Sequence, residues 1–436
     1  MNVILLSGGS CKRLWPLSNE IRSKQFIKIF ESEDGTYESM LQKMYKGIKL
    51  VNNTAEITIA TSKSQKSSIY NQLGTNVDIS IEPTRKDTFP AILLAAAYLH
   101  DVKGVSLDDS IVVCPIDPYV DEKYFKMLEK LYDNSSKTNA NISLIGIKPT
   151  YPSEKYGYII PTDDNEVSSV KCFKEKPAVS DAIKYINYGA LWNAGVFAFK
   201  LRYILEIGHK LIDFKDYNDL YNKYNDLEKI SFDYAVVEKE KNIDVLKFDG
   251  IWKDLGTWNT ITEAMQRETI GDVTMVKSKN TSVINELKIP VLAMGLNNVV
   301  VAASPDGILV ADKNESSYMK PYVENIMPSI MYSEKSWGEY KVIDVQNESL
   351  TILVTLKAGN KMKYHSHDNR DETWTVISGV GRVILDGIEN KIKAGDVIKL
   401  QRGVKHTAIA DEELKMIEVQ LGKDINREDK KVYQLK

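Results

Sequence analysis

Short apolar runs rich in β-branched residues recur along the first two-thirds of the chain. They lie at residues 3–6, 56–60, 77–81, 111–115 and 142–147, and each predicts a strand. Between them, residues 37–46, 89–100 and 124–132 carry apolar positions at helical spacing. This alternation predicts an α/β domain built on a mostly parallel, doubly wound sheet. Ligands of such sheets sit beyond the carboxyl ends of the strands, so the loops opening at Ser7 and after Pro115 are the places to look for chemistry. The texture changes after about residue 270. Runs at 273–276, 281–284, 291–294, 298–302 and 308–311 are short strands with close turns, which predicts a small β-helix or β-rich connector. A short helix is expected over 317–325. From Trp337 onward the pattern is antiparallel: strands at 340–344, 349–356, 372–378, 381–386, 397–400, 406–410 and 416–421 are separated by turn residues. Asp386-Gly387 is a hairpin signal, and the whole segment predicts a jelly-roll sandwich.

Length supports two or three domains, since 436 residues exceed one ordinary core. A 43% apolar and 27% charged composition is that of a globular chain, and a net charge of −3 implies no general affinity for nucleic acid or membrane surfaces. Any anion site must therefore be a local basic cluster. Three widely spaced cysteines, Cys11, Cys114 and Cys172, argue for a reducing compartment rather than a disulfide framework. The N-terminal apolar run is too short for a signal segment, and no stretch approaches membrane-spanning length. A cytoplasmic location is expected.

Residues 8–26 come directly after the first predicted strand. Gly8, Gly9, Ser10, Cys11 and Lys12 form a glycine turn whose backbone N–H groups can wrap a phosphate, and Arg13 and Lys24 can neutralise it. Two glycines alone mark only a turn. The added Arg13-Leu14-Trp15-Pro16 and Lys24-Gln25-Phe26 make the stretch specific, and it resembles the signature loop of sugar-phosphate nucleotidyltransferases, closest to the mannose-1-phosphate guanylyltransferases. Further stretches occur in that family's order: Glu82-Pro83-Thr84-Arg85-Lys86-Asp87-Thr88, Cys114-Pro115-Ile116-Asp117, Lys155-Tyr156-Gly157-Tyr158-Ile159, Phe173-Lys174-Glu175-Lys176-Pro177, Trp192-Asn193-Ala194-Gly195, Phe232-Asp233-Tyr234-Ala235 and Trp252-Lys253-Asp254-Leu255-Gly256.

The resemblance implies a Rossmann-like nucleotidyltransferase domain over 1–268 and a β-helix-like connector over 269–330. It implies attack of a sugar 1-phosphate on the α-phosphorus of a nucleoside triphosphate, most readily mannose 1-phosphate on GTP. Two anions must meet, and Asp117 and Asp254 are the hard oxygen ligands for the Mg²⁺ that would screen them; either Asp alone would read as a turn or cap residue. The resemblance gives Lys176 the sugar phosphate, and Arg13 and Lys24 the triphosphate. Glu175 and Asn193 are the candidates for the sugar hydroxyls. Gly157 would let the backbone approach the ring. Residues 8–13 and Asp87 form the expected nucleotide side. The chain departs from the family at Cys11-Lys12, where Gly-Thr is usual, at Arg85-Lys86-Asp87, where Gly-Arg-Asn is usual, and at Pro118, which replaces a His. An Asp at 87 exchanges a donor for a charged acceptor. A nucleotidyltransferase using CTP or UTP, or another sugar phosphate, therefore stays open, as does a nucleotide-sensing regulatory protein. A homo-oligomer is compatible with all three.

In the last segment, Gly359-x5-His365-x-His367-x4-Glu372-x6-Gly379 is followed by Gly395-x5-Gln401-x-Gly403-x2-His406. These spacings resemble the two cupin motifs, with Gln401 where Pro is usual, and imply a cupin over 331–436. Residues two apart on a strand face one side, so His365 and His367 converge, and Glu372 and His406 would join them. Three of the five histidines at these positions predict a divalent transition-metal site for Zn, Mn, Fe or Ni. Arg370-Asp371-Glu372-Thr373-Trp374 and Ile417-Glu418-Val419-Gln420 resemble the C-terminal domain of bifunctional phosphomannose isomerase/guanylyltransferases. That resemblance implies a second, isomerase activity in which Arg370 binds phosphate or the enediolate. A cupin that only binds sugar or supports assembly is the other reading.

Overall fold

The computed structural model describes residues 1–8, 12–19, 21–32, 34–326, 330–423, 425–426 and 429–435, and the side chain of Lys12 lies outside that description. The chain divides into two compact units. The first comprises Met1–Cys11, Ser23–Lys66 and Asn76–Gln266; the second comprises Lys12–Arg22, Ser67–Thr75 and Arg267–Lys436. The signature stretch is thus shared out: its start and Lys24 belong to the first unit, and Arg13 to the second. No helix among the described residues is long and apolar enough to cross a membrane.

The first unit is built on a nine-stranded sheet. Its strands are β1 (Asn2–Ser7), β2 (Glu56–Ser62), β3 (Asp78–Glu82), β4 (Ser110–Pro115), β6 (Ile142–Ile147), β7 (Tyr158–Pro161), β8 (Val167–Lys174), β9 (Leu191–Lys200) and β10 (Ile243–Phe248). A separate ribbon pairs β5 (Pro118–Val120) with β11 (Trp252–Asp254). The sheet order is β3-β2-β1-β4-β9-β6-β10-β8-β7. The expected parallel half is present: β3, β2, β1 and β4 all run one way. Beyond β4 the sheet is mixed, because β9 lies antiparallel to both β4 and β6, and β10 then runs parallel to β6. Strand direction is set by the connection, not by the strand's own residues, so a run of apolar positions could not announce it.

Two helices of the first unit are held in different ways. Residues 37–46, expected to be helical from Tyr37, instead begin with an extended Tyr37–Glu38, and α1 spans Met40–Val51. The boundary is set by a capping box in which Ser39 Oγ accepts from Gln42 N–H and Gln42 Oε1 accepts from Ser39 N–H. Helix α2 (Thr88–Asp101) is apolar on every face, with Ile92, Leu93, Leu94, Ala95, Ala96 and Leu99 fully buried. A helix of that composition must be covered all round, and α2 lies between the sheet and the helices Leu201–Leu211 and Tyr217–Lys223.

In the second unit, β12 (Thr269–Ile270), β14 (Ser282–Asn285) and β16 (Val299–Ser304) stack in parallel, as do β13 (Val273–Val276) and β15 (Val291–Met294). The turn of this coil is 18 residues, since Val273 pairs with Val291 and Ser282 with Val300. Its corners repeat at the same interval: Lys277 and Gly295, then Asn280 and Asn298, all have positive φ. The two asparagines stack, Asn280 Nδ2 donating to Asn298 Oδ1 at 2.8 Å. β17 (Gly307–Asp312) closes the stack antiparallel to β16. The helix expected over 317–325 is a 3₁₀ turn, Glu315–Tyr318, followed by helix Lys320–Ile326.

The jelly roll comes last. One sheet has the order β18-β19-β20-β27-β22-β25, using Tyr332–Lys335, Gly338–Val345, Ser349–Leu356, Leu414–Leu421, Asp371–Ser378 and Val397–Leu400 respectively. The other has the order β24-β23-β26-β21-β28, using Ile388–Lys393, Val380–Leu385, His406–Ala410, His365–Ser366 and Lys431–Val432. The core between them contains Trp374, Val354, Leu356, Val383, Ala408 and Met416.

Candidate functional site

Ribbon β5–β11 sets the first site. It pairs Asp254 with Pro118, so Asp117, one residue earlier, comes to rest beside Asp254. Both carboxylates face the ammonium of Lys24, with Nζ 2.8 Å from Asp117 Oδ2 and 3.7 Å from Asp254 Oδ1. Lys24 Nζ also donates to the Leu255 carbonyl at 3.2 Å. The Lys24 side chain is only 12% exposed, whereas the two acids are 42% and 47% exposed. Carboxylate oxygens from two strand ends in an open cleft are the hard donors that Mg²⁺ takes, so these residues fit such an ion.

The cleft has a volume of about 220 Å³, and its wall includes Asp117, Asp254, Gly157, Glu175, Asn193 and Asp233. A Cβ at residue 157 would stand 2.5 Å from Glu175 Oε2, so only glycine leaves that carboxylate in place. Glu175 Oε1 accepts from Lys176 Nζ at 2.5 Å. Partial burial tends to lower the Lys176 pKa, and the Glu175 carboxylate more than offsets this, so it stays raised. Asn193 Nδ2 donates to Asp233 Oδ1 at 2.6 Å, and Asn193 Oδ1 accepts from Gly195 N–H at 3.0 Å, which fixes the orientation of the amide. Burial, then the nearby Glu175 charge, pushes the Asp233 carboxyl up to about 7. Asp233 was not among the residues expected from the sequence. The available signal was its place in the stretch Phe232-Asp233-Tyr234-Ala235, one of those that follow the family's order.

The nucleotide-side residues are spread more widely. Gly8 is exposed at the end of β1, and Gly9, Ser10 and Cys11 lie outside the described residues, as does the Lys12 side chain. Arg13 is exposed in the 3₁₀ turn Lys12–Leu14 of the second unit. Asp87 has φ +81° and caps α2, its Oδ1 accepting from Thr88 N–H at 2.8 Å. Lys86 Nζ donates to the carbonyls of Asn225 and Leu227, the latter at 2.6 Å, and pins the loop before α2.

In the jelly roll, His365 and His406 pair across β21 and β26, and His367 lies just past the end of β21. One nitrogen from each imidazole lies within 4.8 Å of the others, and all three rings are buried. The Nδ1 atoms face main-chain carbonyls: Lys363 O at 2.6 Å for His365, Val404 O at 2.9 Å for His406, and Asp429 O for His367. That leaves Nε2 as the ligand atom on each ring. Glu372 bridges two of them, with Oε1 3.2 Å from His367 Nε2 and Oε2 3.4 Å from His406 Nε2. His406 Nε2 is buried without a well-aligned hydrogen bond, as a waiting metal ligand would be. Burial holds His365 down to about 2 and lowers His367, so both are neutral and ligand-ready. Burial would raise the Glu372 carboxyl, but His406, His367 and Arg370 hold it well below the usual range. The donor set fits a divalent transition metal.

Arg370 is buried inside this cluster. Its Nε donates to Glu372 Oε1 at 2.8 Å, one terminal nitrogen donates to the Asn426 carbonyl at 3.1 Å, and the other lies 3.0 Å from His367 Nε2. Trp374 Nε1 donates to Glu372 Oε2 at 3.1 Å. The guanidinium is therefore directed at the ligands, not held apart as a separate anion site.

Two family profiles cover most of the chain. The Nucleotidyl transferase family profile matches residues 2–270, and the profile named Mannose-6-phosphate isomerase C-terminal matches residues 328–434. A mannose-1-phosphate guanylyltransferase of Salmonella montevideo is 28% identical, over 98% of this chain and 97% of that one. The alginate biosynthesis protein AlgA of Pseudomonas aeruginosa is 27% identical, over 98% and 95%. A crystal structure from Thermus thermophilus, described as a mannose-1-phosphate geranyltransferase, superposes with a TM-score of 0.62 at 25% identity, covering 74% of this chain and 98% of that one. With its first 270 residues matched almost throughout and its last hundred matched to an isomerase domain, the chain belongs to the nucleotidyl transferase family.

Proposed function

We propose that the first unit transfers the guanylyl group of GTP to mannose 1-phosphate, giving GDP-mannose and pyrophosphate. The observation that carries this reading is that Lys24 meets Asp117 and Asp254, both of which line a cleft that Glu175 and Asn193 also line, with Lys176 Nζ on the Glu175 carboxylate. An oxygen of the sugar phosphate attacks the α-phosphorus, and the bond to pyrophosphate breaks. Mg²⁺ held by Asp117 and Asp254 would neutralise charge on the phosphates. Lys24 supplies a further cation where the phosphates meet, and Lys176 holds the phosphate of the sugar. Arg13 and residues 8–12 are the candidates for the triphosphate, and Asp87 is the candidate for reading the base. Glu175 and Asn193 orient the sugar ring. No covalent intermediate on the protein is required; positioning and electrostatics do the work. A cytoplasmic location goes with a triphosphate substrate.

For the cupin we propose phosphomannose isomerisation, in which a proton moves between C1 and C2 of the sugar phosphate with no net oxidation. A metal held by His365, His367, His406 and Glu372 would polarise the carbonyl oxygen. Arg370 aims Glu372 through its Nε, and His406 and His367 join it in keeping the carboxylate ionised.

Pyrophosphate release from each of the four common triphosphates, with mannose 1-phosphate, tests the first reading. GTP should be the substrate; turnover of CTP or UTP alone would replace the base assignment. Asp254→Ala should lower the rate by about 10³-fold, and an unchanged rate would remove the metal assignment. No transfer with any triphosphate or sugar phosphate would favour a nucleotide sensor. Formation of mannose 6-phosphate from fructose 6-phosphate, abolished by chelation, tests the second.

A further inference from the structure

Asp233 is a carboxylate on the cleft wall to which the proposed transfer reaction assigns no role. It opens a π-helical turn, Asp233–Val237, a local widening that re-aims the first side chain. The entry to that turn is firmly held. Phe232 is fully buried against the rings of Phe197 and Phe199, its N–H donates to Thr88 Oγ1 at 2.8 Å, and Phe89 N–H donates to Ile230 O at 3.2 Å. The carboxylate is thus placed by the core and by the start of α2.

Its Oδ1 is occupied by Asn193 Nδ2, and no other side chain donates to it among the described residues. Across the cleft wall, the Glu175 side chain is 6% exposed, with one oxygen on Lys176 and the other over Gly157. The Glu175 charge presses on the buried Asp233 carboxylate, and Lys176 offsets it only in part. A donor reaching either oxygen relieves that repulsion, and a sugar hydroxyl is such a donor.

We propose that Asp233 contacts the sugar directly, so that Asp233 and Glu175 together accept hydrogen bonds from hydroxyls of the hexose ring and select a sugar phosphate in which those hydroxyls are free. This rests on the sugar-nucleotidyl transfer reading above. A site of this kind discriminates against a sugar lacking the hydroxyl, because its buried acceptor is then left unpaired.

The test pairs the full-length protein with mannose 1-phosphate and its monodeoxy analogues at saturating GTP. At least one analogue should lose on the order of 10- to 100-fold in kcat/KM. Asp233→Asn should lower kcat/KM for the parent sugar by a similar factor, leave the KM for GTP within about two-fold, and lose nothing further on that analogue. Equal losses on every sugar would make Asp233 only a support for Asn193 and overturn the proposal. If Asp233→Asn does not fold, Asp233→Ser takes its place on the same analogues, and a parent series in which no single hydroxyl matters is equally fatal. If the parent transfers nothing, the function reading fails. Calorimetric binding of the same sugar phosphates to the parent and to Asp233→Asn then decides the role of Asp233 separately.

Discussion

Glu175 Oε2 occupies the space in which a side chain on residue 157 would begin, 2.5 Å from the position of that missing Cβ. The same Cβ would also meet Phe173 Cζ at 2.8 Å. Both contacts are closer than a Cβ tolerates, so the Glu175 carboxylate and the Phe173 ring must both shift. Gly157→Ala should displace Glu175 from the cleft wall and lower kcat/KM for the sugar phosphate by about 100-fold. The KM for the triphosphate should hold. Steady-state kinetics with each substrate varied in turn will show the split.

Asp233 predicts a stability profile. Its folded pKa, raised to about 7 by burial and by Glu175 against the opposing pull of Lys176 and the Asn193 amide, exceeds the unfolded value of 3.8. The folded protein therefore holds the proton more tightly, and its stability falls as pH rises from about 4 to about 7. Asp233→Asn removes that penalty. The variant should melt higher than the parent at pH 8, and the difference should shrink towards pH 4. A thermal-melt series across this range measures it, and a constant difference would contradict the assignment.

The three imidazoles and Glu372 should retain about one transition-metal ion per chain through purification, as elemental analysis would show. Chelation should lower the melting temperature of the jelly roll, since a ligand at 1,000 times its Kd stabilises by about 4 kcal/mol. His406→Ala should abolish both the retention and the shift. A chelation-insensitive parent would leave the cluster as core polarity only.

Arg22 and Glu286 form a two-pronged ion pair in the second unit, at 2.7 and 2.8 Å, and the arginine side chain is 8% exposed. Glu286→Ala leaves that guanidinium charged and buried without its carboxylate. The expected loss is about 3 kcal/mol, at the low end for a buried pair because Glu286 is itself 24% exposed. Chemical denaturation will read it as a lower midpoint.

The sequence makes the chemistry more legible than the connections. Asp117, Asp254 and Lys176 stand out because each sits in a motif, and each motif names a strand end. The sheet's parallel half can be read from its apolar runs. What escapes is whatever depends on partners distant in sequence. The reversal of β9 is one case, as its Trp192–Phe197 stretch reads as a motif but carries no sign of direction. The π-turn at Asp233 is another, since its hold comes from Thr88 and Phe89. The 18-residue period of the coil hides because its corners are Lys277 and Asn280 in one turn and Gly295 and Asn298 in the next, so only half the signal repeats in residue type. The capping box at Ser39 was visible in principle, and it moves the start of α1 from Tyr37 to Met40.

The Nδ1 atom of each histidine ring is held by a peptide oxygen, those of Lys363, Val404 and Asp429. A peptide oxygen belongs to every amino acid alike. Exchanging the side chain at 363 or 404 therefore leaves the tautomer of the ring it faces untouched, and drift at those positions is silent towards the ligand set. Heritable change reaches the aim of this cluster by bending the backbone, or through the side chains of Arg370, Glu372 and Trp374, which meet at the Glu372 carboxylate.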